Sequence, residues 1–192
     1  MRIIAGTYRS RVLAAPPGMA TRPSSDRLRE TLFNVLAARI AGAALLDLYA
    51  GSGAVGLEAL SRGAASAIFV ERAQPALKTL RANLASLGIE QGFGVQAGPV
   101  AAFLRAGRGM AFDLVFLDPP YDDSAEYEST LNLLGGAAQA MLAPDAIVIA
   151  EHRRKQRLED RYGALARTRL LQQGDAALSF YGFGSEAEEA VE

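Results

Sequence analysis

An apolar run from Phe112 to Leu117 stops in Asp118, Pro119, Pro120 and Tyr121, and this set of groups could handle a flat, weakly nucleophilic amine. Two prolines cannot continue a strand ladder, so the run ends there. The exocyclic amine of a nucleic-acid base is a poor nucleophile because its lone pair is delocalised into the ring. A carboxylate at Asp118 and the Pro119 carbonyl can each accept one of its N–H groups. Fixed acceptors stabilise the positive charge that develops as the nitrogen attacks, and holding the atoms close lowers the barrier further. The ring of Tyr121 offers a surface on which an extruded base can stack. Taken alone, the same four residues could be a turn in which proline ends a strand and aspartate caps a helix.

A second pattern lies upstream. Leu45 to Ala50 runs into Gly51, Ser52, Gly53, Ala54, Val55 and Gly56, a G-x-G-x-x-G turn between a strand and a helix. Glycines Gly51, Gly53 and Gly56 permit the tight turn and let a ligand approach the backbone, and the helix start offers free N–H groups. Glu71 ends the next strand, 20 residues after Gly51, where a carboxylate can accept from both hydroxyls of a ribose. A nucleoside cofactor follows. The loop suits a dinucleotide as well as S-adenosylmethionine, and Asp47 tilts the choice towards the latter, because methyltransferases of this fold commonly have an acid near the end of the first strand.

These residues need elements to position them. Apolar runs at Leu45 to Tyr49, Ala67 to Glu71, Gly92 to Ala97, Phe112 to Asp118 and Ala146 to Glu151 read as buried strands. Between them, helices are expected over about Val55 to Arg62, Pro75 to Leu87, Val100 to Arg105 and Tyr127 to Leu142. The alternation predicts an α/β fold with a mostly parallel sheet covered on both faces. Before it, an amphipathic helix runs from Leu28 to Ile40, and Arg2 to Ala5 with Val12 to Ala15 forms a small N-terminal β-hairpin. Leu165 to Leu171 and Ala176 to Phe183 form a closing antiparallel hairpin, with Phe180, Tyr181 and Phe183 contributing to the core. The division expected is a hairpin extension over 1–22, the main domain over 23–184 and an acidic tail over 185–192.

The 192 residues are half hydrophobic, about a fifth charged, and contain no cysteine. That composition suits a globular chain in a reducing, cytoplasmic setting and excludes disulfides and thiolate metal sites. His152 is the single histidine; it is expected in a loop without a catalytic role, and no metal site is expected. No long apolar run or signal-peptide core argues for a membrane or for export. The net charge of −1 hides an asymmetry: Arg2, Arg9, Arg11, Arg22, Arg27, Arg29 and Arg39 crowd the first 40 residues, whereas Glu186, Glu188, Glu189 and Glu192 mark the end. Several of the front arginines could contact phosphates, Arg2, Arg9, Arg11 and Arg22 foremost. A second basic run, Arg153, Arg154, Lys155 and Arg157, follows the fifth strand.

The chain resembles the amino-methyltransferases marked by Asp-Pro-Pro and an aromatic, and within them the bacterial 16S rRNA guanine-N2 methyltransferase family called RsmD. The resemblance rests on Arg2-Ile3-Ile4-Ala5-Gly6, Arg22-Pro23, Arg29 to Asn34, Asp47 to Gly56, Glu58 to Ala64 and Phe112 to Tyr121. It implies a Rossmann-like, seven-stranded class I methyltransferase sheet. It also implies S-adenosylmethionine as methyl donor and N2 of one guanine in small-subunit ribosomal RNA as acceptor, within an assembling subunit that carries ribosomal proteins. The chain departs from related enzymes after the third strand: where they place an aspartate for the adenine amine, it has Ala97, Gly98 and Pro99, so backbone groups around Gly98 would substitute. Three other readings compete. An adenine-N6 or DNA amino-methyltransferase fits the central motifs equally and only the N-terminal pieces oppose it; Asp118 to Tyr121 opposes a dinucleotide-dependent oxidoreductase and a noncatalytic RNA-binding protein.

Overall fold

The computed structural model describes residues 1–16, 23–107, 109–119 and 124–184. Pro120, Tyr121, Arg22 and the acidic tail, 185–192, therefore lie outside the described residues. The elements are α1 (Pro23–Val35), α2 (Ala37–Ile40), β1 (Ala44–Leu48), α3 (Ala54–Ser61), β2 (Ser66–Glu71), α4 (Gln74–Leu87), β3 (Phe93–Ala97), α5 (Val100–Ala106), β4 (Phe112–Leu117), α6 (Ser124–Leu134), β5 (Leu142–Arg153), β6 (Arg161–Tyr162), β7 (Leu165–Gln173) and β8 (Ala176–Phe183). They build one sheet in the order β3-β2-β1-β4-β5-β8-β7-β6. The first five strands in that order are parallel and the last three join antiparallel.

The β1–β4 contact decides where chemistry can occur. Leu48 pairs with Leu117, so the glycine loop that leaves β1 and the Asp118 segment that leaves β4 emerge side by side. Strand order reverses here, since β2 and β3 lie on one side of β1 while β4 and β5 lie on the other. Such a reversal opens a crevice at the carboxyl ends of the strands. One core fills the face bearing Leu45, Phe116 and Ile149 and takes in Leu32 and Phe33 of α1, Leu57 of α3 and Leu80 of α4. The other fills the face bearing Leu48, Leu117 and Ala150 and takes in Tyr127, Leu131 and Leu134 of α6.

Four expectations need correction. The sheet has eight strands, because the two-residue β6 adds an edge too short to show periodicity. The helix expected over Tyr127 to Leu142 ends at Leu134: Gly135 approaches the Tyr162 carbonyl so closely that a Cβ there would lie 1.8 Å from its oxygen, and β5 already begins at Leu142. His152 is buried on β5, not in a loop, with Nε2 2.9 Å from the Ser179 hydroxyl oxygen on β8. The N-terminal hairpin contains a single antiparallel bridge, Arg2 with Val12, and not two regular strands.

The N-terminal arm gains its hold from the core. Glu58 of α3 is fully buried; its oxygens accept from the backbone N–H groups of Ile4 and Ala5 at 2.7 and 3.0 Å and from Arg62 Nε at 2.7 Å. Arg29 Nε lies 3.8 Å away. Ser61 adds two more bonds, accepting from Tyr8 N–H and donating to the Ala5 carbonyl. Gly6 is required where the arm crosses α3, with φ +84° and no room for a side chain against the Ser61 carbonyl. Removing one partner of a buried ion pair strands the other charge. Glu58→Ala is therefore expected to cost about 3–5 kcal/mol in urea unfolding, whereas Arg39→Ala, which breaks the exposed pair with Asp145, should cost less than about 1 kcal/mol.

Candidate active site

The glycine loop divides its labour residue by residue. Gly53 has φ +81°, and a side chain there would strike Leu80; Gly56 lies against the Phe69 ring, 2.2 Å from a would-be Cβ. Both serve close packing of α3 on the sheet. Beside Gly51 a Cβ would find only the Tyr49 carbonyl oxygen, 3.9 Å away, and beside Gly98 nothing within 4 Å. These two glycines border open space at the carboxyl ends of β1 and β3.

Two carboxylates fasten the loop. Glu71 at the end of β2 accepts from Gly51 N–H at 2.8 Å and Ala73 N–H at 2.7 Å, and its carbonyl accepts from Gly98 N–H at 2.9 Å. Gly51, Glu71 and Gly98 are thus one hydrogen-bonded unit. Each Glu71 oxygen retains lone-pair capacity for a hydroxyl donor. Asp47 sits beneath the loop, 2% exposed, and accepts from Gly56 N–H at 2.9 Å. Burial pushes its carboxyl up to about 8, against the lowering effect of the Gly56 hydrogen bond and with reinforcement from the charge of Glu71.

Across the crevice, Asp118 is half-buried and Pro119 buried. Desolvation, with the charges of Glu151 and then Asp47, holds the Asp118 carboxyl well above the usual carboxylate range. The Tyr127 hydroxyl on α6 donates to the Glu151 carbonyl at 2.8 Å and lies 3.5 Å from the Pro119 carbonyl. Among the described residues no group of three His, Asp or Glu side chains is placed to hold a metal ion.

Sequence reasoning missed three residues. Tyr49 turns the chain out of β1 in a left-handed conformation, φ 63°, rare for a side chain of its size; its hydroxyl meets Thr130 at 2.6 Å and Glu126 at 2.8 Å on α6. Asn83 of α4, buried, bonds Ala14 N–H at 2.9 Å, the Ala14 carbonyl at 3.1 Å and the Ser52 carbonyl at 2.9 Å, which ties the arm directly to the glycine loop. Glu151 follows a buried run, which was the only signal for it. On the arm, Arg2 and Arg9 are exposed, and Arg11, also exposed, donates to the Ser86 carbonyl at 2.5 Å. Arg29 is not a surface cation: it is buried, bonded to the Arg2 carbonyl and paired with Asp26.

A doubly wound sheet with this loop at its reversal point defines a Rossmann-like class I methyltransferase fold. The chain belongs to the family described as Conserved hypothetical protein 95, whose model matches residues 1–182. It is 36% identical over 183 residues to YlbH of Bacillus subtilis, named provisionally as an rRNA methyltransferase, spanning 94% of this chain and 98% of that protein. It is 42% identical over 151 residues to ribosomal RNA small subunit methyltransferase D of Escherichia coli, spanning 79% and 74%. The solved structure of the Escherichia coli protein yhhF, described provisionally as a methyltransferase, superposes with a TM-score of 0.84 at 36% identity, over 97% of this chain and 99% of that one.

The raised Asp47 value has a consequence for stability. The folded protein holds a proton that the unfolded chain releases, so this residue's contribution falls as pH rises from about 4 towards about 8. Asp47→Asn removes that dependence. The melting-temperature difference, variant minus wild type, is expected to be more positive at pH 8 than at pH 5.

Proposed function

We propose that this chain transfers a methyl group from S-adenosylmethionine to N2 of a guanine in small-subunit ribosomal RNA. The observation that carries the reading is the pairing of Leu48 with Leu117, which brings the glycine loop and Asp118 to one crevice. A nucleoside would lie in the open space beside Gly51 and Gly98: Glu71 would take the ribose hydroxyls, the Gly51–Gly56 turn would lie against the amino-acid part, and backbone groups near Gly98 would meet the adenine. Asp47 would act from below, by accepting from the Gly56 N–H. When bound, the cofactor supplies an electrophilic methyl on a cationic sulfur.

Asp118 and the Pro119 carbonyl accept the two N–H groups of the base amine and aim its nitrogen at that methyl. Pro120 has no N–H to compete for that carbonyl, and Tyr121 supplies a ring on which the base would stack. A carboxylate that resists ionising among like charges gains most when positive charge develops beside it, and in transfer this happens on the amine nitrogen. Arg2, Arg9, Arg11 and Arg22 hold phosphates around the target. The N-terminal arm supports this reading over a generic amino-methyltransferase, because the family match takes in the arm from residue 1. We further place the reaction in the cytoplasm, on assembling subunits that carry ribosomal proteins. Among the described residues no helix is long and apolar enough to cross a membrane.

The test is transfer of labelled methyl to small subunits lacking the modification, beside naked RNA and DNA, with the product nucleoside identified. N2-methylguanosine from subunits is the expected product; N6-methyladenine or labelled DNA would keep the chemistry and overturn the substrate. Asp118→Ala is expected to lower transfer at least about a hundredfold while S-adenosylhomocysteine still binds. In wild type the rate should fall at low pH, with the acidic limb above the ordinary carboxylate range, because protonating Asp118 removes an acceptor.

A further inference from the structure

The exit of β5 sets a second carboxylate beside the first. Leu117, the last residue of β4, pairs with Ala150 of β5, so Asp118, which leaves β4, and Glu151, the next residue of β5, follow a common register pair. Partners in a parallel pair share a sheet face, here the face of Phe116 and Ile149 that also carries Asp47. Glu151 is half-buried, and its charge is felt at Asp118. One hydroxyl spans the two backbones, since Tyr127 donates to the Glu151 carbonyl at 2.8 Å and lies 3.5 Å from the Pro119 carbonyl. Holding two like charges together at a strand end opposes folding, and Glu is a poor strand former. Two adjacent carboxylates suit a ligand that presents two adjacent donors.

We infer that Glu151 selects the base, by accepting the N1–H of guanine while Asp118 and the Pro119 carbonyl accept from its N2 amine. This rests on the reading of the site as a base-amine methyltransferase. The pairing edge of guanine carries an N–H donor directly beside its amine, whereas adenine and cytosine carry a bare ring nitrogen there. A carboxylate next to the amine acceptors forms a charge-assisted hydrogen bond with guanine. With adenine or cytosine it faces a lone pair and loses its hydration without replacement. Sites built to bond a particular group reject analogues that lack it, and one charge-assisted bond corresponds to about a hundredfold discrimination.

2-Aminopurine is the discriminating probe, because it keeps the N2 amine but presents N1 as an acceptor. Subunits reassembled with guanine or 2-aminopurine at the methylated position are compared by kcat/KM, for wild type and Glu151→Gln, with S-adenosylhomocysteine affinity as the check on folding. Wild type is expected to prefer guanine about a hundredfold; in Glu151→Gln, whose amide can donate to N1, the preference should shrink to a few-fold or reverse. The wild-type comparison needs no variant, and equal use of both bases overturns the role of Glu151. Full guanine preference in Glu151→Gln, or equal loss on both bases, overturns it too. Failure of wild type to methylate guanine N2 overturns the underlying reading instead.

Discussion

A carboxylate buried inside a helix organises this molecule. Glu58 lies on α3, the helix that begins at the glycine loop, and faces away from water entirely. Burying a charge costs several kcal/mol unless hydrogen bonds and counter-charge replace the lost hydration. Two backbone N–H groups of the arm supply part of that replacement, and Arg62 and Arg29 supply the rest. The dependence runs both ways. Without the arm Glu58 would be under-satisfied, and without Glu58 the N–H groups of Ile4 and Ala5 would lose their acceptor. A segment too short to have a core of its own is thereby built into the domain.

The same economy recurs at Asn83, where one amide reads both the arm and the loop. Ala14 and Ser52 are far apart in sequence, yet three hydrogen bonds to one buried side chain hold them together. Movement of the loop as a ligand enters would be felt at the arm through that side chain. Residues 1–16 of the arm are therefore tied to the domain at both Glu58 and Asn83.

What was legible in the sequence follows what each motif asks of the backbone. Gly53 and Gly56 stand where no side chain fits, and Pro119 follows a strand that must stop, so residue type reports local geometry and the loop and the Asp118 exit could both be located. Glu71 was legible in place but not in full, because spacing puts it at a strand end without revealing that its oxygens hold Gly51 and Ala73. Glu58 was illegible, since an acid four residues before Arg62 reads as an ordinary surface pair on a helix. His152 and β6 failed for a related reason: burial on β5 and pairing at the sheet edge come from β8 and β7, which lie later in the chain. Helix α6 was drawn too long because nothing in the apolar spacing across Gly135 announces the Tyr162 carbonyl.

The two faces of the sheet supply different things to the crevice. Register places Asp47 and Glu151 on the face covered by α1, α3 and the arm, and Asp118 follows β4 directly. From the other face, α6 meets the strand ends at two tyrosine hydroxyls: Tyr49 bonds Thr130 and Glu126, and Tyr127 meets the carbonyls of Glu151 and Pro119. Neutral hydroxyls can fix backbone carbonyls without adding charge. A lysine or arginine in the same role would instead pair with the neighbouring carboxylates and neutralise them.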